Sequence, residues 1–540
     1  MMRLLATSLF IFNAVTALGA ATWNAEPFNP PSVPLAVRSP YLSAWLAQGQ
    51  GTALNDAWPT FWTGSILGWA GLAKVDGQAY IWMGQPGIPN VNIHKATQKS
   101  LQFTSTQSVF VMTAGPVNLT ITFLSPIEPS DFMNQSLPLS YYSVSAASTD
   151  GKSHSVQVYA DISAEWVSGD DTLIVNWATT TGDVLSHEVK LDTQTTYTKI
   201  NDRIQQGSAF HSTLNTAGAT FQTGEDVVVR AQFATNGTLL NTQDTSFRAV
   251  SDHWPVFAFA HDLGAVTSAT TPVVYSIGHV RDPVVQYIIV NADTQARSSY
   301  FWARFASIGD AILTFLNDYP NALARANAFD AQVNSDASKI SANYASLVAL
   351  SIRQVFGATE ITVTSGLFDS SNMLMFMKGV HYPNATGHND GKDEAMLVEE
   401  SGNMLIMTLS CTQRTGDLSL IKTYFSLLDQ WTQFLITDSL IPANQLSTDD
   451  FAGALANQTN LAIKGIIGIQ AMAEIAKLND DKARASNYSV HFFASESSPC
   501  RFTSILQSIA ASYVQQWQKL ATSSDGSHLT LSVHRRIHRC

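Results

Sequence analysis

The chain has 540 residues, and its composition indicates a large folded protein. Hydrophobic residues make up 45% and charged residues 13%, so sizeable cores can form and wholesale disorder is excluded. The formal net charge of −12 argues against a nucleic-acid partner, because phosphate binding needs a basic surface. At roughly 100–200 residues per domain, the length predicts two to four domains.

Residues 1–19 are typical of a secretory signal peptide. Arg3 supplies the basic start, residues 4–15 form a short apolar stretch, and residues 17–19 offer small side chains for cleavage. No later run reaches the roughly 18–20 apolar residues that span a bilayer, so we expect no membrane span and a secreted, extracellular or wall-associated location. Six glycosylation sequons support export: Asn118, Asn134, Asn236, Asn384, Asn457 and Asn487.

The motifs of several common enzyme classes are absent from the sequence. Its three cysteines do not make a disulfide scaffold, and zinc spacings, a phosphate-binding glycine loop and a G-x-S-x-G turn are all missing. ATPases, zinc proteases and standard α/β-hydrolases are therefore not the leading interpretations, and we expect no cofactor and no metal.

Residues 60 to about 295 follow the pattern of β-structure, as many short strands with turn signals between them. The Asp76-Gly77 pair predicts a hairpin within residues 72–82. Further strands are expected at 102–112, 117–123, 141–147, 154–167, 172–180 and 273–289. Because we see no helix between them, this region is expected to be a β-sandwich.

The pattern changes to helical near residue 300. Helices are expected at 302–316, 322–356, 404–413, 418–435 and 461–478, which makes the second half all-α. Gly465 and Gly468 predict close packing by the last of these helices. The turn at 415–417, with Asp417 as N-cap, makes its two flanking helices antiparallel. The chain reverses its direction again before the helix at 461–478. The N-termini of the helices at 404–413 and 461–478 should therefore face the same end of the domain.

The segments that lead into those two helix starts, 381–403 and 444–460, carry most of the candidate chemistry. Clustered carboxyl groups push their pKa values apart, so that one can act as an acid while another acts as a base. The candidate catalytic residues are Asp449, Asp450, Glu399 and Glu400, and the candidate substrate-binding residues here are Asn389, Asp390, Asp393, Glu394 and Asn403. The alternative is that these carboxylates are helix caps or solvated loop charges.

A second group of candidates lies near the mature N-terminus, where aromatic side chains surround Asn55 and Asp56. Trp58 and Trp62 are predicted to bind substrate, and Arg281 is expected to face the same cleft. An aromatic-rich loop with amides is typical of a sugar-stacking surface, whereas the alternative is a core between domains.

Long motifs of this sequence resemble the secreted fungal glutaminase A family, and the resemblance covers residues 25 to 489. They are PYLSAWL at 40–46, WPTFWTG at 58–64, YPNATGHNDGKDE at 382–394, VEESGNM at 398–404, LSTDDFAG at 446–453 and NQTNLAIKG at 457–465. The resemblance implies a multidomain β + α protein: an N-terminal β-sandwich domain with the aromatic loop at 20–298, then an (α/α) six-helical-hairpin barrel at 299–532. It also implies hydrolysis of L-glutamine, a small-molecule substrate, to L-glutamate and ammonia.

The sequence also departs from this family. Members carry several dozen further residues between the counterparts of Lys378 and His381, residues 490–507 look inserted, and residues 533–540 form an atypical basic tail. We therefore expect an incomplete barrel and a chain that is poorly active or inactive as written.

The function that we expect is an amidohydrolase whose carboxylates assist the attack of water on the amide. One alternative is an inverting glycoside hydrolase, which rests on fold analogy alone. Another is a carbohydrate-binding wall protein without catalysis. The sequence leaves open the base, the substrate range and the oligomeric state.

Overall fold

The computed structural model describes residues 23–48, 51–289, 293–385, 396–447, 453–489, 509–526 and 529–530. The chain divides into two compact units, Met1–Gly387 and His388–Cys540. The signal peptide predicted at 1–19, the insertion at 490–507 and the tail at 533–540 lie outside the described residues. No helix within the described ranges is long and apolar enough to cross a membrane.

Two large sheets dominate the first unit. The ten-stranded sheet has the order β1 (Asn24–Glu26), β8 (Thr97–Phe103), β9 (Gln107–Ala114), β10 (Val117–Leu124), β11 (Leu139–Ser148), β21 (Val273–Val280), β17 (Ser208–Leu214), β14 (Val184–Leu191), β13 (Ile174–Thr180) and β19 (Arg248–Ala249). The six-stranded sheet has the order β18 (Ala219–Glu225), β20 (Pro255–Val266), β12 (His154–Ser163), β5 (Trp69–Val75), β6 (Gln78–Met83) and β7 (Ile93–Lys95).

The two sheets pack face to face, as predicted for a sandwich. Trp69 of the six-stranded sheet contacts Phe123 and Tyr142 of the ten-stranded sheet, with ring centroids 5.3 and 5.1 Å apart. Alternate residues of β10 are buried in this interface, among them Leu119 and Ile121. Period-two burial of this kind is what places one face of a strand in the core.

Smaller sheets complete the first unit. They are β2 (Ser32–Ser39), β3 (Leu42–Ala47) and β4 (Thr60–Phe61); β15 (Lys199–Ile200) and β16 (Arg203–Ile204); and a five-stranded sheet in the order β25 (Leu374–Met377), β24 (Thr359–Thr364), β23 (Thr294–Ser299), β22 (Val285–Ile288) and β26 (Asn384–Ala385).

Several strand predictions are confirmed and others need correction. The Asp76-Gly77 hairpin joins β5 to β6, with Val75 opposite Gln78. The single strand expected at 102–112 is wrong, because the chain turns at residues 104–106 between β8 and β9. Strands β11 and β12 are both present but belong to different sheets, and residues 164–167 form a short 3-10 helix. The strand expected at 273–289 is two strands, β21 and β22.

The helices of the first unit correct two further expectations. They are α1 (Phe132–Gln135), α2 (Asp226–Asn236), α3 (Ile308–Asn317), α4 (Tyr319–Ser338) and α5 (Ala342–Gly357). The β region does contain helices, α1 and α2. The single helix expected at 322–356 is two, because Ser341 caps α5 by accepting a hydrogen bond from the Tyr344 amide at 3.1 Å.

The second half of the chain is not all-α. Strands β24 and β25 follow α5, and β24 pairs with β23 at Ser298 and Val363. The boundary predicted after residue 298 therefore lies inside the five-stranded sheet, whereas the division between the two compact units falls after Gly387.

The second unit is helical in its described ranges, 396–447, 453–489, 509–526 and 529–530. Its helices are α6 (Leu397–Thr415), α7 (Ser419–Asp438), α8 (Thr459–Leu478), α9 (Lys482–Tyr488) and α10 (Ile509–Ala521). The first three match the predicted helices, and Leu405, Ile421, Leu435, Ile469 and Met472 contribute to a shared core. The (α/α) barrel implied by the resemblance, and its expected incompleteness in this chain, stay predictions.

Candidate functional site

The starts of α6 and α8 lie together in the second unit, as the sequence predicts. The backbone amide of Val398 on α6 donates to Gln445 Oε1 at 2.8 Å. Gln458, just before α8, donates from Nε2 to the Gln445 carbonyl at 2.7 Å. Gln445 therefore links the segment that leads into α8 to the first turn of α6.

Small residues allow this close approach. A Cβ added at Gly468 would lie 3.1 Å from the Gly402 Cα, and one at Gly465 would lie 3.2 Å from Val398 Cγ1. Val398 thus lies beside Gly465, and Gly402 lies beside Gly468. Because the residue numbers increase in the same direction along both helices, α6 and α8 are parallel. Gly465 also contacts Ser439 on α7, which confirms the close packing predicted from the two glycines.

Glu399 and Lys464 form an ion pair across this interface. The Glu399 side chain is fully buried, and its Oε1 accepts a hydrogen bond from Lys464 Nζ. Asn403, one turn later on α6, has its Nδ2 3.4 Å from the same oxygen. The Lys464 side chain is 27% exposed, and Glu399 fixes the position of its ammonium group. Glu400, in contrast, is exposed.

The other predicted residues of this site lie outside the described ranges. They are Asp449, Asp450, Asn389, Asp390, Asp393 and Glu394. Ser447, two residues before Asp449, is described, and its Oγ accepts from Asn460 Nδ2 on α8 at 3.2 Å. The chain that leads to Asp449 is thus attached to the first turn of α8.

The three predicted substrate-binding residues of the first unit are not brought together. Trp62 is 54% exposed and lines a cavity of about 530 Å³ with Trp45 and Lys378. Trp58 lines a different cleft, of about 290 Å³. Arg281 is buried and donates to Glu360 from Nη1 at 2.9 Å and from Nη2.

The aromatic loop near the N-terminus has a structural explanation in part. Asn55 is buried and donates from Nδ2 to the carbonyls of Ile81 and Ala96, each at 2.8 Å. Asp56 accepts from Lys95 at 2.7 Å. Both hydrogens of the Asn55 amide nitrogen thereby hold the loop on the sheet.

Lys378 is a charged residue of the first unit that the sequence did not single out. Its Nζ lies 5.1 Å from the Tyr41 ring centroid and 5.0 Å from that of Trp62, and it pairs with Asp202. Burial lowers the pKa of Lys378 below its ordinary value, and the Asp202 carboxylate opposes this shift. A lysine is common on any surface, so its aromatic surroundings become evident only in the fold.

The six predicted glycosylation positions are all described, and none is fully buried. Asn236 and Asn487 are exposed, and the other four are half-buried. Within the part of the chain that the structure describes, no group of three or more His, Cys, Asp or Glu side chains is placed to hold a metal ion.

Comparison with known proteins places this helical site in a described domain class. Residues 378–536 match the "Glutaminase A six helical-hairpin domain". Residues 106–336 and 14–95 match two domains of unknown function, DUF5127 and DUF4964.

Two relatives are similar over nearly the whole chain. "Glutaminase A" of Aspergillus oryzae is 39% identical over 593 residues, which cover 98% of this chain and 82% of the relative. "Probable glutaminase" of Arthroderma benhamiae is 29% identical over 653 residues, covering 95% of this chain and 72% of that protein. The chain therefore belongs to the glutaminase A family.

Solved structures give only a distant likeness. A kojibiose phosphorylase from the human microbiome aligns with 79% of this chain and 57% of its own length, at 9% identity and a TM-score of 0.29. The heparan sulfate lyase HepC of Pedobacter heparinus gives a TM-score of 0.19 at 11% identity, over 39% of this chain and 24% of its own.

Proposed function

We propose that this chain is an exported amidohydrolase that converts the side-chain amide of L-glutamine to L-glutamate and ammonia. The observation that carries the proposal is its 39% identity, over 98% of the chain, to a protein named "Glutaminase A". Water adds to the amide carbon, the C–N bond breaks, and the departing nitrogen takes a proton to leave as ammonia.

Within this reaction we assign Glu399 a positioning role. Glu399 Oε1 accepts a hydrogen bond from Lys464 and lies near Asn403 Nδ2. This oxygen therefore already has partners before a substrate binds. Lys464 is partly exposed and carries a positive charge at the start of α6, where helix N-termini also favour anions. This arrangement suits the α-carboxylate of glutamine or the oxyanion that forms on the amide carbon.

The base that accepts the proton of water is then to be found among Asp449, Asp450 and Glu400. A second carboxylic acid protonates the departing nitrogen. Asp449 and Asp450 follow Ser447 by two and three residues in the sequence, and Ser447 accepts a hydrogen bond from Asn460 at the start of α8.

Ammonia release from L-glutamine by the full chain tests the proposal, with L-glutamate-induced thermal stabilisation as a second readout. We expect Asp449→Asn to abolish turnover while the free energy of unfolding changes by less than about 1 kcal/mol. Glu399→Gln should raise KM more than it lowers kcat, because it displaces Lys464. Glu474→Gln is the matched control, since Glu474 pairs with Lys477 at the exposed end of α8.

Two outcomes would contradict the proposal. One is a chain that neither releases ammonia nor is stabilised by L-glutamate, yet cleaves a glycoside. The other is a chain in which none of Asp449→Asn, Asp450→Asn and Glu400→Gln lowers turnover; full turnover with much lower stability in Asp449→Asn alone would assign Asp449 a structural role.

A further inference from the structure

A second cleft lies in the first unit, built from residues that the proposed glutaminase site does not use. It has a volume of about 290 Å³ and is lined by two indoles, two carboxyl groups, a guanidinium group and an amide. These belong to Trp58, Trp254, Glu165, Asp226, Arg230 and Gln85.

Trp254 reaches this cleft from a strained turn. His253 and Trp254 have φ angles of +57° and +39°, which L-residues rarely adopt and bulky residues least of all. Trp254 also precedes Pro255, and a residue before proline favours extended backbone. Backbone strain of this kind is destabilising and is concentrated at functional sites. Here it leaves the Trp254 side chain 39% exposed at the cleft.

The floor of the cleft is a closed ion-pair network. Arg230 donates from Nε and Nη2 to both oxygens of buried Asp161, at 2.8 and 3.0 Å, and from Nη1 to Asp226 at 2.5 Å. Its guanidinium carbon lies 5.5 Å from the Trp58 ring centroid. Arg230, the only cation among the lining residues that the structure describes, is therefore already paired with two carboxylates and stacked on an indole.

Glu165 adds a carboxyl group that can act as donor or acceptor near neutral pH. Its Oε2 accepts from Ser163 Oγ at 2.6 Å and from the Gly68 amide at 2.9 Å. Burial raises the pKa of Glu165 to about 7, and burial also raises the pKa of Asp226.

We propose that this cleft binds one pyranose ring of a neutral sugar. Indole faces pack against the C–H faces of a sugar ring, and carboxyl and amide groups bond to its hydroxyls. An anionic ligand would meet Asp226 and Glu165 with no free cation to offset them. A cationic ligand would compete with Arg230 for the Trp58 face. The volume is near the lower end of ligand pockets, about 300–1,000 Å³, which fits a single ring.

Binding of methyl α-D-glucopyranoside, methyl α-D-mannopyranoside and methyl β-D-galactopyranoside to the full chain tests this inference. Saturation-transfer NMR and tryptophan fluorescence are the readouts, with tetramethylammonium and inorganic phosphate as charged probes. We expect at least one glycoside to bind, and neither charged probe to bind.

Two substitutions separate binding from folding. Trp254→Gly should weaken glycoside binding about tenfold or more, as expected for loss of an aromatic anchor. It should not lower the melting temperature, because glycine relieves the positive φ. Glu165→Gln keeps the acceptor for Ser163 and Gly68 and should also weaken binding. Phe132→Ala, which removes an exposed aromatic ring outside the cleft, is the control and should leave binding unchanged.

The inference is overturned if no glycoside binds, if tetramethylammonium binds instead, or if Trp254→Gly leaves glycoside binding unchanged. A lowered melting temperature with unchanged binding would assign Trp254 a structural role. None of these results bears on ammonia release, which Trp254→Gly should leave unaltered because Trp254 lies outside the proposed glutaminase site.

Discussion

Acidification should destabilise the first unit through histidines buried in its β-structure. His187, His211, His261 and His279 are all buried, and burial lowers their pKa values to about 3, 4, 4 and 3. Each is neutral in the folded chain across the ordinary pH range, but each takes up a proton near pH 6.5 once the chain unfolds.

The hydrogen bonds of His211 explain why it stays neutral. Its Nδ1 lies 2.9 Å from the Phe257 carbonyl, which can only accept, so Nδ1 carries the proton. Its Nε2 lies 2.6 Å from the Tyr142 hydroxyl and therefore accepts from it. A second proton on Nε2 would remove the acceptor of the Tyr142 hydroxyl, whose own proton would then need another partner in a buried site.

The sign and size of the effect follow from linkage. Because each folded pKa lies below the unfolded one, the unfolded state binds more protons between about pH 4 and 6.5. The stability from each histidine is therefore fully present above pH 6.5 and falls with pH through that window. Lowering the pH from 8 to 5 removes about 2 kcal/mol for each histidine, or about 8 kcal/mol for the four.

Glu165 acts in the opposite sense, because its folded pKa of about 7 lies above its ordinary value. Its contribution is fully present at low pH and is lost as pH rises through 7. The same acidification therefore restores about 2.5 kcal/mol through Glu165. Other carboxyl groups with shifted pKa values also contribute, so a single histidine variant gives a cleaner test than the total.

The assay is urea unfolding of the full chain at pH 5, 6, 7 and 8, followed by near-ultraviolet circular dichroism. His211→Asn removes one titrating group, so its loss of stability between pH 8 and 5 should be smaller than the parent's by about 2 kcal/mol. Val189→Ala, a buried change in β14 without a titrating group, should shift the curve equally at every pH. Parallel curves for His211→Asn and the parent would refute the reasoning.

Two further predictions concern packing and buried charge. Gly465→Ala should destabilise the second unit by about 1–3 kcal/mol, because its Cβ would lie 2.3 Å from Ser439 Cβ. Gly309→Ala should instead stabilise α3 by about 0.5–1 kcal/mol, since nothing lies closer than 3.7 Å to the added Cβ. Urea unfolding measures both changes. Arg281→Met should cost about 3–5 kcal/mol, because it leaves Glu360 buried without its cation. Recovery of that stability by Arg281→Met combined with Glu360→Met would support this account, and a near-neutral single variant would contradict it.

Short sequence patterns predicted those turns, strands and helices that depend only on residues close to one another in the chain. The Asp76-Gly77 turn, the alternation of β10 and the helical period of α8 each suffice to specify an element. The five-stranded sheet could not be predicted this way, because β23 and β24 pair across the three helices α3, α4 and α5. Pairing over such a distance leaves no periodic trace in either strand.

The same distinction holds for the candidate sites. Glu399 was identified from a cluster of carboxylates, but its partner Lys464 is 65 residues further along the chain. The sequence pattern around Lys464 is that of an ordinary helix. Likewise, Glu165 and Trp254 come together only through the sandwich, so neither could be paired with the other from sequence.

The first unit exposes several apolar side chains close to Lys378, where we expect residues of the family to be missing. Leu367, Met375, Met377 and Val380 are 62%, 64%, 63% and 85% exposed, all within fourteen residues that end beside this join. The alignment with the Aspergillus relative runs over 593 residues, 53 more than this chain has, so that relative holds internal residues without a counterpart here.

This join is where we expect the family's additional residues, and residues inserted there would be able to cover this apolar surface, whereas a chain joined directly at 378–381 leaves it to water. Large exposed apolar surfaces promote association, so the chain as written should aggregate and show little activity. Peptide mass spectrometry of the native protein, after treatment with an N-glycosidase, decides whether the join exists. We expect no tryptic peptide spanning residues 379–392; its recovery from a monomeric, active protein would show that the direct join is real and that the exposed apolar side chains are tolerated.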